Sequence, residues 1–567
     1  MNYAHRDPAL EAVVDRWIPA ADRERTDALL TRLGADGERL TGLAAVADQH
    51  PPTLRQFDRD GNRIDEIDYH PAYLELCRAA FHEYGLSALS HRPVHGWDIK
   101  PPHLVKYLAS YLFVQSEFGL ACPVSMTDAA ARTLRMFGDP EIFTPWIDGL
   151  TSTEPDNAMT GAMFMTEPQA GTDIAQTETT AVRDGQGWRL SGKKWFASNP
   201  DADVIITLAR YPGGPEGSTR GVGMFMVPKR LANGTRNSYT IDRLKDKLGT
   251  RSMPSGEVTL DGAYGIQVGD LDRGFRQMAE MVNTSRLSNA MRSAALMRRS
   301  VRDAVEHTHQ RIVFGKALFE QPLMRATLLP LLLDAEAALA LVGYSAHCLQ
   351  RADAGDPDAR NLIRILTPIA KHHVCKRARF VTGEAMEIRG GNGYIEEWGF
   401  AKLVRDAHLG SIWEGSSNVI ALDVLRCMRK QDAHRHLASA MLALLADLES
   451  DCDSGAAALE ERWHRLAADG DELLAGESDT AEIGCARYAD DLARAVMATV
   501  LFDIASRRIA AGRGYRSLLV ANAFLAGLDG EASTVALDHL DAIAEGTDVD
   551  ADIARAAAPR TLAGAHR

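Results

Sequence analysis

At 567 residues the chain is longer than one compact core accommodates, so roughly two to four domains are expected. Its formal net charge of −14 repels a phosphate backbone on average, and its seven scattered cysteines, without CxxC or clustered His/Cys spacing, argue against a metal site and for a reducing cytoplasm. The opening Met1-Asn2-Tyr3-Ala4-His5-Arg6-Asp7 lacks the basic-then-apolar order of a secretion signal, and no run approaches the roughly 20 apolar residues needed to span a bilayer, which excludes a membrane partner.

Residues 1 to about 155 are predicted to be mostly helical. Apolar residues recur at three- and four-residue steps over 29–43 and 71–84, separated by Pro51-Pro52 and the turn-forming Asp58-Arg59-Asp60-Gly61-Asn62. In 104–122 the residues Leu104, Tyr107, Leu108, Tyr111, Leu112 and Val114 are expected to line a buried face, and His70, His95 and His103 to be structural.

From 156 to 268 the period changes. The runs 188–196, 204–208, 222–227 and 257–260 are short, rich in β-branched or aromatic residues and bounded by Gly, Pro, Asn or Asp, which predicts antiparallel strands. Helical spacing returns after Leu271, with long helices expected over 274–313, 322–353 and 358–388. Residues 431 to 567 are helical again over 437–448, 486–511 and 517–528. This tail has no lysine after Lys430, and its acids outnumber its arginines by about two to one. It is expected to pack onto the preceding helices or a sister subunit, with the residues after about Ala557 flexible.

Four segments carry candidate chemistry. Met165-Thr166-Glu167-Pro168-Gln169-Ala170-Gly171-Thr172-Asp173 forms a tight loop whose hydroxyls and N–H groups suit a polar ring edge or a phosphate, although a turn alone explains it. Lys194-Trp195-Phe196-Ala197-Ser198 ends a strand with a stacking wall and one hydroxyl, or is simply an apolar strand end. Gly390-Gly391-Asn392-Gly393-Tyr394 permits left-handed backbone and close approach of another molecule, or merely terminates a helix. Ser411-Ile412-Trp413-Glu414-Gly415-Ser416-Ser417-Asn418 sets a carboxylate between an aromatic and a glycine beside a helix start. Ser416 or Ser417 is the candidate N-cap, and Ile420, Val424, Leu425 and Met428 share one face. Glu414 there is either a base at the mouth of an apolar pocket or an ordinary first-turn acid.

In their order, these segments together with Lys247 to Ser252 and Arg311-Ile312-Val313-Phe314-Gly315 resemble the acyl-CoA dehydrogenase superfamily, over about 100 to 430. The front part, through Pro51-Pro52-Thr53-Leu54 and His70-Pro71-Ala72-Tyr73, with 165–174 and 243–249, is similar more narrowly to the AidB branch, whose founding member belongs to a DNA-alkylation response. The resemblance implies an α+β fold: an N-terminal helical domain (1–155), a central antiparallel β domain (156–268), a four-helix bundle (269–430) and an additional acidic helical domain (431–567). It also implies FAD between the β domain and the bundle, with part of its site supplied by a neighbouring subunit of a homotetramer.

Carried over residue by residue, Met165, Thr166 and Thr172, with Gly171 in the same loop, match positions near the isoalloxazine and pyrophosphate. Ser198 matches the hydroxyl on the flavin N5 side, with Trp195 on the same strand. Arg311 and Phe314 match partner-subunit contacts, and Gly390 and Gly391 the turn near the cofactor. Ile412, Trp413, Gly415, Ser416 and Asn418 match a second lining segment, and Arg286 a position near the CoA portion. Glu387 stands where many members have glutamine.

Glu414 aligns with the family's catalytic base, which removes the α-proton of an acyl thioester while a hydride leaves the β-carbon; the backbone N–H at the base and a flavin hydroxyl polarise the carbonyl. Burial with bound substrate is expected to outweigh the helix start in setting the acidity of Glu414. The partners implied are an acyl-CoA or acyl-carrier thioester and an electron-transfer flavoprotein or similar acceptor. An AidB-like DNA-binding role is the alternative. It is disfavoured by the acidic tail, where Arg507, Arg508, Arg513 and Arg516, interleaved with Tyr515, form the only basic cluster and read as solvated helix ends. A flavin monooxygenase would have no use for the base.

Overall fold

The structure, a computed structural model, describes residues 2–5 and 7–559. Most of the stretch after Ala557, expected to be flexible, lies outside the described residues.

Several helices open on an Asp-Pro pair, in which the carboxylate accepts a first-turn N–H and proline presets φ: Asp7-Pro8, Asp139-Pro140 and Asp356-Pro357 each do so. In chain order, α1 (Pro8–Trp17), α2 (Ala20–Ala35) and α3 (Gly37–Gln49) precede a hairpin of β1 (Thr53–Phe57) and β2 (Arg63–Asp68). That hairpin corrects the all-helical expectation for this region: the Asp58 carboxylate accepts from the N–H groups of Asp60 and Asn62, and Gly61 takes φ 83°, so the turn reverses the chain between two strands instead of two helices. Then come α4 (Pro71–Cys77), continued by a π-helical turn to Glu83, α5 (His103–Val114), α6 (Ala121–Phe137) and α7 (Pro140–Leu150). The three histidines have structural partners: His70 caps α4, His95 meets the Tyr84 carbonyl and His103 lies 2.8 Å from Asp353.

The sheet comprises β3 (Gly161–Phe164), β4 (Thr180–Asp184), β5 (Gly187–Ser198), β6 (Val204–Arg210), β7 (Val222–Pro228), β8 (Tyr239–Leu244) and β9 (Ser255–Gln267). The pairings β6–β4, β4–β5, β5–β9, β9–β7 and β7–β6 return on themselves and close a small barrel, with β8 added to β9. It is not wholly antiparallel: β3 runs parallel to β6, from Gly161 opposite Val204 to Phe164 opposite Thr207, and β4 touches β6 in parallel. Phe164, Trp188, Leu190, Ile205, Phe225, Val227, Val258 and Leu260 fill its core.

After the sheet come α8 (Gly274–Gln310), a short hairpin of β10 (Ile312–Val313) and β11 (Lys316–Ala317), α9 (Pro322–Asp353), α10 (Pro357–Ile388), α11 (Phe400–Gly410) and α12 (Ser417–Gln431). The tail adds α13 (Ala433–Leu445), α14 (Asp453–Ala475), α15 (Ser478–Ala510), α16 (Arg516–Leu528) and three short helices, α17 (Thr534–Asp538), α18 (Leu540–Glu545) and α19 (Ala551–Ala556). By length and composition α9 is apolar enough to cross a membrane, contrary to the reading that no run approaches this. However, 78% of its most apolar window is buried by the protein itself, as in a core helix.

The described chain divides into two compact units. One holds 36–101 and 116–288, including the sheet. The other holds the chain up to Ala35, 102–115 and everything described from Asn289 on. In the helical unit α15 packs against α1, α9, α10, α12, α14 and α16, so the acidic tail is seated on its own chain's bundle. Ion pairs fix it there: Arg16 meets Asp503 at 2.6 Å, and Arg516 makes a buried two-pronged pair with Glu336 at 2.8 and 2.9 Å. The four arginines expected as solvated helix ends are therefore paired with carboxylates: Arg507 with Asp447, Arg508 and Arg513 with Asp15, and Arg516 with Glu336.

Candidate active site

In the sheet unit, the 165–173 loop is locked from below. Backbone bonds Glu167 N–H to Ala170 O (3.0 Å) and Ala170 N–H to Glu167 O (3.2 Å) close the turn, and Trp195 N–H donates to Thr166 O at 2.9 Å. The Glu167 side chain points inward, accepts from the Glu178 and Thr179 N–H groups and pairs with the Lys194 ammonium at 2.7 Å; Lys194 also donates to Leu208 O. Lys194 is thus an interior tie in the middle of β5, which runs on to Ser198, and not a strand-end residue. Burial pushes the Glu167 carboxyl up, but Lys194 and the N–H donors outweigh it and hold it below its ordinary value, while burial pulls Lys194 down.

The outer side of this scaffold carries open polar groups. Thr166 and Ser198 are half-buried, Gly171 and Thr172 are exposed, and the three hydroxyls have no hydrogen-bond partner among the described residues. Partly sheltered, unspent donors on a rigid loop and strand are the set that a polar ring edge and a phosphate require. One face of the Trp195 ring is covered by the Lys245 ammonium, 3.7 Å from the centroid and itself held by Glu257 at 2.8 Å. Arg286, half-buried on α8, donates to Asn283 at 3.3 Å.

In the helical unit, Glu414 lies in the turn joining α11 to α12, half-buried, with φ 57°; Gly415 follows with φ 99°. Two successive left-handed residues reverse the chain, and for a glutamate this backbone is strained unless its surroundings enforce it. They do. The Trp413 indole donates to Asn289 Oδ1 at 2.8 Å, Asn289 Nδ2 donates to Gly410 O at 2.8 Å, and the Arg292 guanidinium lies 4.7 Å from the Trp413 ring centroid. From α10, the Lys371 ammonium donates to Gly415 O and His372 Nδ1 to Ser417 O at 3.2 Å. Ser416 occupies the N-cap position of α12, but its side chain makes no capping bond, and Ser417 is already helical. Ile420, Val424, Leu425 and Met428 are buried together, as their spacing predicted; Ile412 and Asn418 are exposed.

Asn289, Arg292 and Lys371 escaped the sequence reading. Their signal was polar residues at positions that fall on the buried faces of long helices, where burial demands a partner. Among the glycines, Gly390 has φ 68° and needs to be glycine for its backbone. A Cβ on Gly390 or Gly391 would meet nothing within 4 Å, whereas one on Gly393 would sit 2.0 Å from Met386 O, so Gly393 is the sterically required member. Arg311 is exposed at the base of the β10–β11 hairpin, and Phe314, at its tip with φ 50°, is 100% exposed.

Comparison with known proteins bears on this constellation. The description "Adaptive response protein AidB N-terminal domain" matches residues 1–157, "Acyl-CoA dehydrogenase, middle domain" matches 162–263 and "Acyl-CoA dehydrogenase, C-terminal domain" matches 272–429. Acyl-CoA dehydrogenase family member 11 of Caenorhabditis elegans is 34% identical over 435 residues, covering 74% of this chain and 69% of the relative. The putative acyl-CoA dehydrogenase AidB of Escherichia coli is 38% identical over 408 residues, covering 69% and 71%. A crystal structure of Caenorhabditis elegans ACDH-11 in complex with C11-CoA aligns with a TM-score of 0.83 at 28% identity, covering 98% of this chain and 90% of that one. By sequence and by its α+β fold, the chain belongs to the acyl-CoA dehydrogenase family, in its AidB branch.

Proposed function

We propose that the protein is an FAD-dependent acyl-CoA dehydrogenase that introduces an α,β double bond into an acyl thioester, with Glu414 as the general base. The observation that carries this reading is the Glu414 turn itself. A carboxylate in left-handed backbone sits in a turn anchored upstream, at Trp413 and Gly410 by Asn289, and downstream, at Gly415 by Lys371, an arrangement too constrained for an ordinary first-turn acid. Family membership and the C11-CoA complex of the Caenorhabditis elegans relative support a CoA thioester as the substrate class.

FAD, when bound, would supply the acceptor for the hydride leaving the β-carbon. In the sheet unit the residues that would hold it are Met165, Thr166, Gly171, Thr172 and Ser198, whose open hydroxyls and exposed backbone fit such a group; in the helical unit the family resemblance adds Gly390, Gly391, Ile412 and Asn418. Glu414 takes the α-proton onto its carboxylate, and N–H groups of the turn polarise the thioester carbonyl, lowering the barrier to that transfer. Arg286 would hold an anionic part of the CoA moiety. Arg311 and Phe314 would serve the site of a neighbouring copy in a homotetramer; their exposure on a projecting hairpin supports this. An electron-transfer flavoprotein or similar acceptor would carry the electron pair away.

The test is anaerobic flavin bleaching by a panel of acyl-CoA thioesters in the wild type and in Glu414→Gln. The variant should retain flavin but lose nearly all bleaching; unchanged bleaching would remove Glu414 from the mechanism.

A further inference from the structure

We propose that Lys371, supported by its neighbour His372, is a positioning residue that sets the backbone of Glu414 for proton abstraction. The proposal rests on the reading of Glu414 as the base.

The turn is anchored upstream by short-range bonds: Ile412 and Trp413 N–H both donate to Leu409 O, at 2.9 and 3.2 Å, and the Trp413 indole is fixed on Asn289. These hold the chain up to residue 413. They do not determine the peptides after it, where Glu414 and Gly415 take φ of 57° and 99°. Glycine samples both signs of φ freely, so Gly415 by itself would let the preceding glutamate relax toward right-handed backbone.

Lys371 and His372 close that freedom. They are consecutive residues of α10, and they take the carbonyls of Gly415 and Ser417, one on each side of Ser416. Lys371 is only 1% exposed, and a buried ammonium costs much unless it meets acceptors. A lysine in the interior of α10 gains nothing from packing that leucine or methionine would not give. What it adds is a charge-assisted bond to a carbonyl, stronger than a neutral donor could make. With the Gly415 carbonyl fixed, the Gly415–Ser416 peptide is fixed; with Trp413 anchored upstream the turn is then held on both sides, which narrows the φ and ψ open to Glu414 and Gly415 between the two anchors and so the direction in which the Glu414 side chain leaves the backbone. The local geometry ties Lys371 to the turn that carries the base: the bonds from Lys371 and His372 go to the Gly415 and Ser417 carbonyls, one and three residues after Glu414.

The experiment uses the full-length flavin-loaded protein and anaerobic stopped-flow bleaching with C11-CoA across a concentration series. For Lys371→Met the limiting bleaching rate should fall on the order of 10- to 100-fold, the scale of a displaced catalytic group. The half-saturating C11-CoA concentration and the flavin-to-protein ratio should stay within about twofold of wild type, because neither thioester binding nor flavin binding uses Lys371. Lys371→Arg, which keeps a charged donor, should recover part of the rate. If Lys371→Met does not fold, Lys371→Gln replaces it with the same expectation.

A limiting rate within about twofold of wild type overturns the proposal. So does a loss of flavin that parallels the loss of rate, which would make Lys371 merely structural. Glu414→Gln run in parallel separates the two levels. Full bleaching there sinks the base reading itself, whereas a silent Glu414→Gln beside a normal Lys371→Met sinks only the positioning role. A wild type that C11-CoA and the wider thioester panel leave unbleached counts against both.

Discussion

The Lys194 ammonium lies 2.7 Å from the Glu167 carboxylate, and neither side chain reaches solvent. This pair fixes the loop carrying Thr166 and Thr172 to the middle of β5. Removing one partner leaves a buried charge unmatched, so Lys194→Met should destabilise the protein by about 3–5 kcal/mol and lower its flavin content. Lys194→Met combined with Glu167→Leu should recover most of the stability, because apolar replacement of both ions removes the unmatched charge. Urea unfolding and the flavin-to-protein ratio test this; equal losses in the single and double variants would show that the pair is not the determinant.

The arginines at the end of α15 and the start of α16 bear on the nucleic-acid alternative. Arg508 and Arg513 converge on Asp15, Arg507 meets Asp447, and Arg516 is buried against Glu336. A duplex would have to compete with carboxylates already in place, and the surrounding tail is acidic. The expected outcome of a salt series with duplex DNA is no retained complex at physiological ionic strength, and no change on Arg507→Ala or Arg513→Ala. Tight binding there, weakened by those substitutions, would revive the alternative.

What was legible beforehand follows from local periodicity. Long helices such as α9 and α10 announce themselves by apolar residues at three- and four-residue steps, and β5, β6, β7 and part of β9 by β-branched and aromatic runs between turn residues. The β1–β2 hairpin did not, because in Thr53–Phe57 and Arg63–Asp68 the apolar residues Leu54 and Phe57, and Ile64 and Ile67, stand three apart, a helical step, in runs of only five or six next to strong helical signals. The Trp413-Glu414-Gly415 motif was visible because its unusual backbone is written into adjacent residues. Its supports were not: Asn289 and Lys371 lie 124 and 44 residues from the atoms they bind, on Trp413 and Gly415, and only packing brings them there.

A pH dependence of stability follows from His347. Its ring stacks on Trp17 with centroids 6.3 Å apart, and burial together with Arg351 and Arg16 pulls its pKa down to about 4. The folded value lies below the ordinary value of 6.5, so as pH falls through that value the unfolded chain takes up a proton that the folded chain refuses. Stability from this group is therefore lost progressively between 6.5 and about 4 and changes no further below. His347 is only half-buried, so solvent screening limits the effect to on the order of 2 kcal/mol. Replacing it with glutamine should flatten the fall in melting temperature across that window relative to wild type; parallel curves for the two proteins would refute the assignment.

Phe314 gives the last prediction. The ring sits at the tip of the β10–β11 hairpin, wholly exposed, beside Ile312 at 62% exposure, and Phe314 and Gly315 both have positive φ, which thrusts the tip outward. Covering a phenylalanine side chain is worth about 1.5–3 kcal/mol, and an isolated chain leaves that unused. If a second copy covers the tip, and Arg311 at its base reaches that copy's cofactor, then Phe314→Asp should weaken assembly and flavin retention together while leaving the fold of the single chain intact. Light scattering should show a smaller particle, the flavin-to-protein ratio should drop, and far-ultraviolet circular dichroism should be unchanged. A particle of wild-type mass with a full complement of flavin would rule the hairpin out as a subunit contact.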